Sequence, residues 1–128
     1  MARQFNFKSI LVVLAVAAVF FTAGLLVAGT VEKPKSVIHV VTLDWADGAS
    51  EADIQKALDG VETMGKNYDG ITRIWLKSIK SQTKDAAFVM EFKDEKALAE
   101  YAGSEAQQEW YKVYMPVRGG SVTSDITN

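Results

Sequence analysis

Cysteine is absent from this sequence, so disulfides, thiolate nucleophiles and zinc–thiolate sites are excluded together. Histidine is almost absent: His39 stands alone, which leaves no multi-histidine metal centre and no second ligand to support a haem. No metal or cofactor is expected. Proline is confined to Pro34 and Pro116, so no imide interrupts the long stretch between them. Acidic residues are missing from the first thirty positions, where only Arg3 and Lys8 carry charge. The rest of the chain holds 12 basic against 16 acidic residues, a net charge of −4. That balance lacks the basic footprint needed to displace counterions, and excludes nucleic acid as the expected partner. The lack of cysteine says nothing about compartment, because a domain of this size can be stable on core burial alone.

What is present begins with an uncharged run from Ile10 to Ala28, preceded by Arg3 and Lys8 and followed by small residues. A basic start, an apolar stretch and a small-residue exit make a secretory signal. The run is longer than the roughly 7–15 residues of a usual signal core, and falls within the roughly 17–25 that can span a bilayer. As a helix it would rise about 28 Å, close to the hydrocarbon thickness. A cleaved signal and an uncleaved N-terminal hydrophobic helix anchoring the protein through residues 10–28 both fit. A buried helix fits less well, because the run has no polar face. Either favoured reading places the domain outside the cytoplasm, membrane-anchored or secreted. Residues 1–30 are thus assigned to the leader and residues 31–36, with Pro34, to a polar linker.

From Val37 the pattern is that of one α+β domain. Val37–Trp45 alternates as a strand, with Val37, His39, Val41, Leu43 and Trp45 in one row. Ser50 fits a helix N-cap, and Ile54, Ala57, Leu58, Val61 and Met64 follow at helical spacing, with Gly65 as the expected stop. Ile71–Ile79 and Ala86–Phe92 read as a strand pair joined by a polar loop. Asp94 and Ser104 are expected to cap two short helices, the first ended by Gly103 and the second closed by Pro116. Val117–Ile126 is the last strand, with a bulge expected at Gly119 and Gly120. The order β-α-β-β-α-β, with the second helix in two pieces, is a ferredoxin-like unit with a four-stranded antiparallel sheet. One sheet face is left bare, which predicts a homodimer closing a dimeric α/β barrel.

Three segments resemble the stress-responsive A/B barrel (Dabb) domain family over roughly residues 37–127. They are VIHVVTLDW with His39, FVMEFKDEKALAEYAGSEAQQEW, and Tyr114-Met115-Pro116 leading into the final strand. The resemblance implies a ferredoxin-like subunit that pairs into a barrel. Some plant members are polyketide cyclases in which a strand histidine, a tyrosine and an H-P-x-H segment surround a pocket. Position by position, the strand histidine matches His39 and the tyrosine Tyr101, while the two histidines of the segment become Ser104 and Gln107. An amide does not titrate, so Gln107 cannot act as a general base, and this departs from the cyclase pattern.

The candidate catalytic residues are therefore His39 and Tyr101. The candidate ligand pocket adds Val41, Leu43, Phe88, Met90, Gln107 and Trp110. Each has a plainer alternative: a half-buried strand histidine bonded to a neighbour, a packed tyrosine, a glutamine serving the Ser104 cap. Tyr111 and Tyr114 fit either an apolar pocket or a subunit contact. Two functions follow. One is a barrel at the cell envelope, stress-related, that binds a small apolar molecule without a complete catalytic set. The other is a cofactor-free enzyme of polyketide-cyclase or monooxygenase type working through His39 and Tyr101.

Overall fold

A computed structural model describes residues 30–128; the leader expected at residues 10–28 lies outside the described residues. No helix among the described residues is long and apolar enough to cross a membrane. Residues 30–35 carry no helix or strand. The elements that follow are β1 (Val37–Trp45), α1 (Glu51–Asn67), β2 (Ile71–Trp75), β3 (Ala86–Phe92), α2 (Glu95–Tyr101), α3 (Glu105–Tyr114) and β4 (Arg118–Ile126).

The sheet order is β2-β3-β1-β4 with every neighbouring pair antiparallel. This is the ferredoxin-like arrangement expected from the sequence. The alternation along β1 decides which residues meet the helices. Val37, Val41 and Leu43 are buried on one face, in register with Phe92, Phe88 and Ala86 of β3. Helix α1 closes over this face with Ala57, Val61 and Met64, and α3 with Trp110 and Tyr114. The Trp110 indole N–H donates to Ala57 O at 2.9 Å, so the buried donor is satisfied and the two helices are tied together. Gly60 lets them approach closely: a Cβ there would stand 2.8 Å from the Trp110 ring.

The helices start where side chains can satisfy their free N–H groups. Ser50 Oγ accepts from Asp53 N at 3.1 Å, Asp94 Oδ1 from Ala97 N at 2.7 Å, and Ser104 Oγ from Gln107 N at 3.2 Å. Between α2 and α3 the chain reverses at Gly103, whose φ of 81° favours a residue without a Cβ. At the other end of the domain, the register of β1 with β4 shifts between Leu43 and Trp45. Gly119 lies there, and a Cβ on it would meet Asp44 O at 2.7 Å. The expected bulge is real, and close backbone approach explains its glycine.

Two boundaries differ from expectation. Helix α1 does not stop at Gly65 but runs to Asn67. Gly65 is an interior residue facing the Ile71 and Ile74 side chains of β2. Strand β2 ends at Trp75 rather than Ile79. Beyond it Ser78 takes over from the ladder, its Oγ accepting from Ala87 N at 2.6 Å and donating to Ala87 O at 3.0 Å.

The sheet face turned away from the helices is apolar, and no other element among the described residues covers it. Trp75, Val122 and Ile126 are 47%, 59% and 58% exposed, and Ile38, Val40 and Val89 are half-buried between them. The register places Trp75 beside Val89, Val89 beside Val40 and Ile126 beside Ile38. One ion pair interrupts this surface. Arg73 forks over the buried carboxylate of Glu91, donating from both Nε and Nη2. This hydrogen bonding holds Glu91 below the usual carboxylate range. The stabilisation it brings is complete above the ordinary glutamate pKa and is lost as pH falls through the lower value of the folded protein. Arg73→Met is therefore expected to destabilise the domain more at about pH 7 than at about pH 3. Urea midpoints at the two pH values give the comparison, and an equal gap at both would contradict it.

Candidate functional site

A small cavity of about 100 Å³ opens where α3 crosses over β1 and β4. Its lining follows from strand alternation. His39 and Val41 come from the inward row of β1, and Thr123 and Ser121 from the inward row of β4, opposite Val41 and Leu43. Trp110, Tyr111 and Tyr114 descend from α3, with Gln107 one turn earlier, Tyr101 from the end of α2 and Arg118 from the start of β4. Trp110 and Tyr114 stack with ring centroids 4.3 Å apart and planes 9° from parallel. They form a flat aromatic wall.

His39 is paired across the β1–β4 ladder with Asp125, and its Nδ1 lies 2.6 Å from Asp125 Oδ1. In the neutral ring this contact places the proton on Nδ1 and leaves Nε2 as the free acceptor. Asp125 is 46% exposed, so the pair reaches from solvent to the cavity edge. The imidazole meets Phe92 and Tyr101 edge-on, with centroids 5.8 and 6.1 Å away.

The tyrosines act as donors. Burial pushes the Tyr101 hydroxyl far above the usual phenol range, with a hydrogen bond from Gln107 opposing it, so the group stays protonated. Tyr114 is raised for the same reason, with the positive charge of Arg118 pulling the other way. The Tyr114 hydroxyl is buried and has no hydrogen-bond partner at ordinary geometry. Gln107 has its amide oxygen committed to Gly103 N at 2.7 Å, so it offers the cavity its NH₂ group. The expected capping role and a place at the cavity therefore coexist in this one residue.

Of the residues singled out from the sequence, His39, Val41, Tyr101, Gln107 and Trp110 line the cavity. Leu43, Phe88 and Met90 do not. They are at most 1% exposed in the closed core, where Phe88 packs edge-on beneath Trp110 and Tyr114. Phe88 and Met90 belong to β3, on the far side of β1 from β4, so they share the inward face without reaching this space. Ser104 serves as a helix cap. Sequence reasoning missed Arg118, Ser121, Thr123 and Asp125. The signal was there in β4, whose alternate residues Ser121, Thr123 and Asp125 are polar where an inward row is normally apolar. A larger trough of about 560 Å³ runs between α1 and α3 past Lys56, Asp59, Glu105 and Glu109. It is an open surface feature edged by solvated charges, and it brings no titratable pair or orphaned polar atom into contact with a ligand.

Two consequences can be measured. Tyr114→Phe removes a buried hydroxyl whose one neighbour, Ser121, makes no well-formed hydrogen bond with it, so stability is expected to stay within about 0.5 kcal/mol of the parent or to rise. Loss of about 1–3 kcal/mol in urea unfolding would mean the hydroxyl is bonded. Nitrogen-15 shifts of His39 in the neutral form are expected to report Nδ1–H, and Asp125→Ala to move the ring towards the other tautomer. Unchanged shifts would rule out the carboxylate as the orienting group.

The scan of known families matches the stress responsive A/B barrel domain over residues 37–128. No curated protein sequence matches. Among solved structures, a dimeric protein of unknown function and ferredoxin-like fold from Bacteroides fragilis is similar at 14% identity and a TM-score of 0.60, covering 76% of this chain and 100% of that one. A cofactor-independent oxygenase from Streptomyces nogalater is similar at 11% identity and a TM-score of 0.61, covering 73% and 93%. A hydroxynitrile lyase from Passiflora edulis is similar at 14% identity and a TM-score of 0.63, again covering 73% and 93%. At these identities the likeness is one of fold. The family match spans most of the chain and includes the strand of His39, both short helices and β4, and on that ground the protein belongs to the stress-responsive A/B barrel domain family.

Proposed function

We propose that this protein is a homodimeric α/β barrel outside the cytoplasm, anchored by its N-terminal leader or secreted after the leader is cleaved, that binds a small molecule in the cavity between α3 and the β1–β4 half of the sheet. The observation that carries the binding role is the Tyr114 hydroxyl, buried at the cavity without a partner. An orphaned polar group costs stability, and a ligand that bonds to it recovers that cost. Val41, Trp110 and Tyr111 offer an apolar bed for the body of the ligand. A stress-related role accords with the family description.

Pairing is supported by the uncovered sheet face. A patch holding Trp75, Val40, Val89, Val122, Ile38 and Ile126 is the kind of apolar surface that a second subunit buries. The Bacteroides fragilis relative of the same fold is dimeric. Val40→Asp would place an unpaired carboxylate in the middle of such an interface. The variant is expected to sediment as a monomer in density-matched detergent where the parent full chain sediments as a dimer. A parent that sediments as a monomer sinks the pairing.

A second reading is favoured by the His39–Asp125 pair, which leaves an imidazole nitrogen free on a ring 6.1 Å, centroid to centroid, from the Tyr101 ring, whose hydroxyl burial keeps protonated. A base and a proton donor on one small cavity suffice for proton abstraction next to a carbonyl without a cofactor. The oxygenase and the lyase among the fold relatives are enzymes of this architecture. On this reading, His39→Ala abolishes turnover of a phenolic or β-polyketone probe and leaves the melting temperature nearly unchanged. A variant as active as the parent eliminates it.

A further inference from the structure

We infer that the cavity is built for a carboxylate carried on a small planar body, with Arg118 and Tyr114 receiving the anionic oxygens. This rests on the ligand-binding role proposed above and names the chemistry of its ligand.

Apart from the His39 Nε2 acceptor, the polar side chains around the space can all donate a hydrogen bond. Arg118 carries a permanent positive charge and five donors, and among the described residues no carboxylate forms an ion pair with it. Its guanidinium carbon sits over the Tyr114 ring, 5.9 Å from the centroid. Gln107 presents only its NH₂, because its oxygen is engaged by Gly103. Tyr101 remains a hydroxyl donor, and Ser121 and Thr123 add two more hydroxyls. No Asp or Glu among the described residues lines the cavity, and the Asp125 carboxylate is turned to His39 Nδ1. An oxyanion accepts from several of these groups at once and answers the Arg118 charge, which a neutral ligand does not. Arginine beside a phenol is the geometry that holds a carboxylate by charge and direction together.

The remaining walls limit what carries that group. The stacked Trp110 and Tyr114 rings are flat, Tyr111 lies against Trp110 at 5.5 Å between centroids, and Val41 closes the floor. A volume of about 100 Å³ limits the ligand to a small body. Benzoate and its neutral isostere benzamide therefore separate the head group from the body.

The test is a titration of the full chain with benzoate and with benzamide, read by calorimetry and by NMR shifts of the cavity residues. Benzoate is expected to bind at least about ten-fold more tightly than benzamide. Arg118→Met should erase that preference, and Tyr114→Phe should weaken benzoate several-fold with no loss of melting temperature. Lys66→Met removes an equal charge from the last turn of α1, away from the cavity, and should leave both affinities unchanged. Equal affinity for the two probes would overturn the carboxylate assignment while leaving the small-molecule pocket in place. So would a loss in Lys66→Met as large as in Arg118→Met. If neither probe nor neutral phenol moves any resonance at the cavity, the pocket reading fails together with the assignment.

Discussion

Strand β1 is hydrogen-bonded on both edges, to β3 on one side and β4 on the other, and its strict alternation of side chains divides the molecule into two halves of different chemistry. The odd-numbered row packs under the helices and supplies the core. The even-numbered row faces away, and with Trp75, Val89, Val122 and Ile126 makes an apolar surface that no other element among the described residues covers. A slip of one residue in this register would exchange the two faces, sending His39 out and Ile38 in. The core, the cavity and the proposed dimer surface all depend on it.

The inward face is itself divided. Over β1 and β3 it is closed and apolar, with Leu43, Phe88, Met90 and Phe92 fully buried beneath α1, α2 and α3. Over β1 and β4 the same layer carries Ser121, Thr123 and Asp125, side chains too small or too polar to fill it. The aromatic residues of α3 bridge this half without filling it, and the cavity is what remains. Packing on one side thus supplies the rigidity that holds donors and aromatic walls in place on the other, which is the usual division of labour in a binding site.

The edge position of β4 matters too. Its outer edge has no strand beside it among the described residues, and both charged members of the site, Arg118 and Asp125, stand at its two ends. The bulge beside Gly119 turns the strand at the Arg118 end, and the ladder partner His39 fixes it at the Asp125 end. The electrostatics of the cavity are therefore set by where one edge strand begins and stops. Neither the helices nor the core contributes a charge to it.

Much of this was readable from the chain alone, for local reasons. Ser50, Asp94 and Ser104 announce their helices because capping bonds span only three residues, and Gly103 marks a reversal because its φ is open only to a residue without a Cβ. The alternation of β1 identified the inward row, and with it His39 and Val41; Tyr101 and Gln107 came from the resemblance to the family rather than from any local pattern. What the residues could not state was which strand lies beside which in space and in what register. Asp125 is 86 residues from His39, and only the β1–β4 ladder brings them to 2.6 Å. Arg118 depends on a bulge whose offset no local pattern records, and the burial of Leu43, Phe88 and Met90 in the core rather than at the cavity depends on sheet order. Short-range hydrogen bonding and side-chain periodicity are properties of the chain; the pairing of distant strands, which assembled the donors of the site, is a property only of the folded sheet.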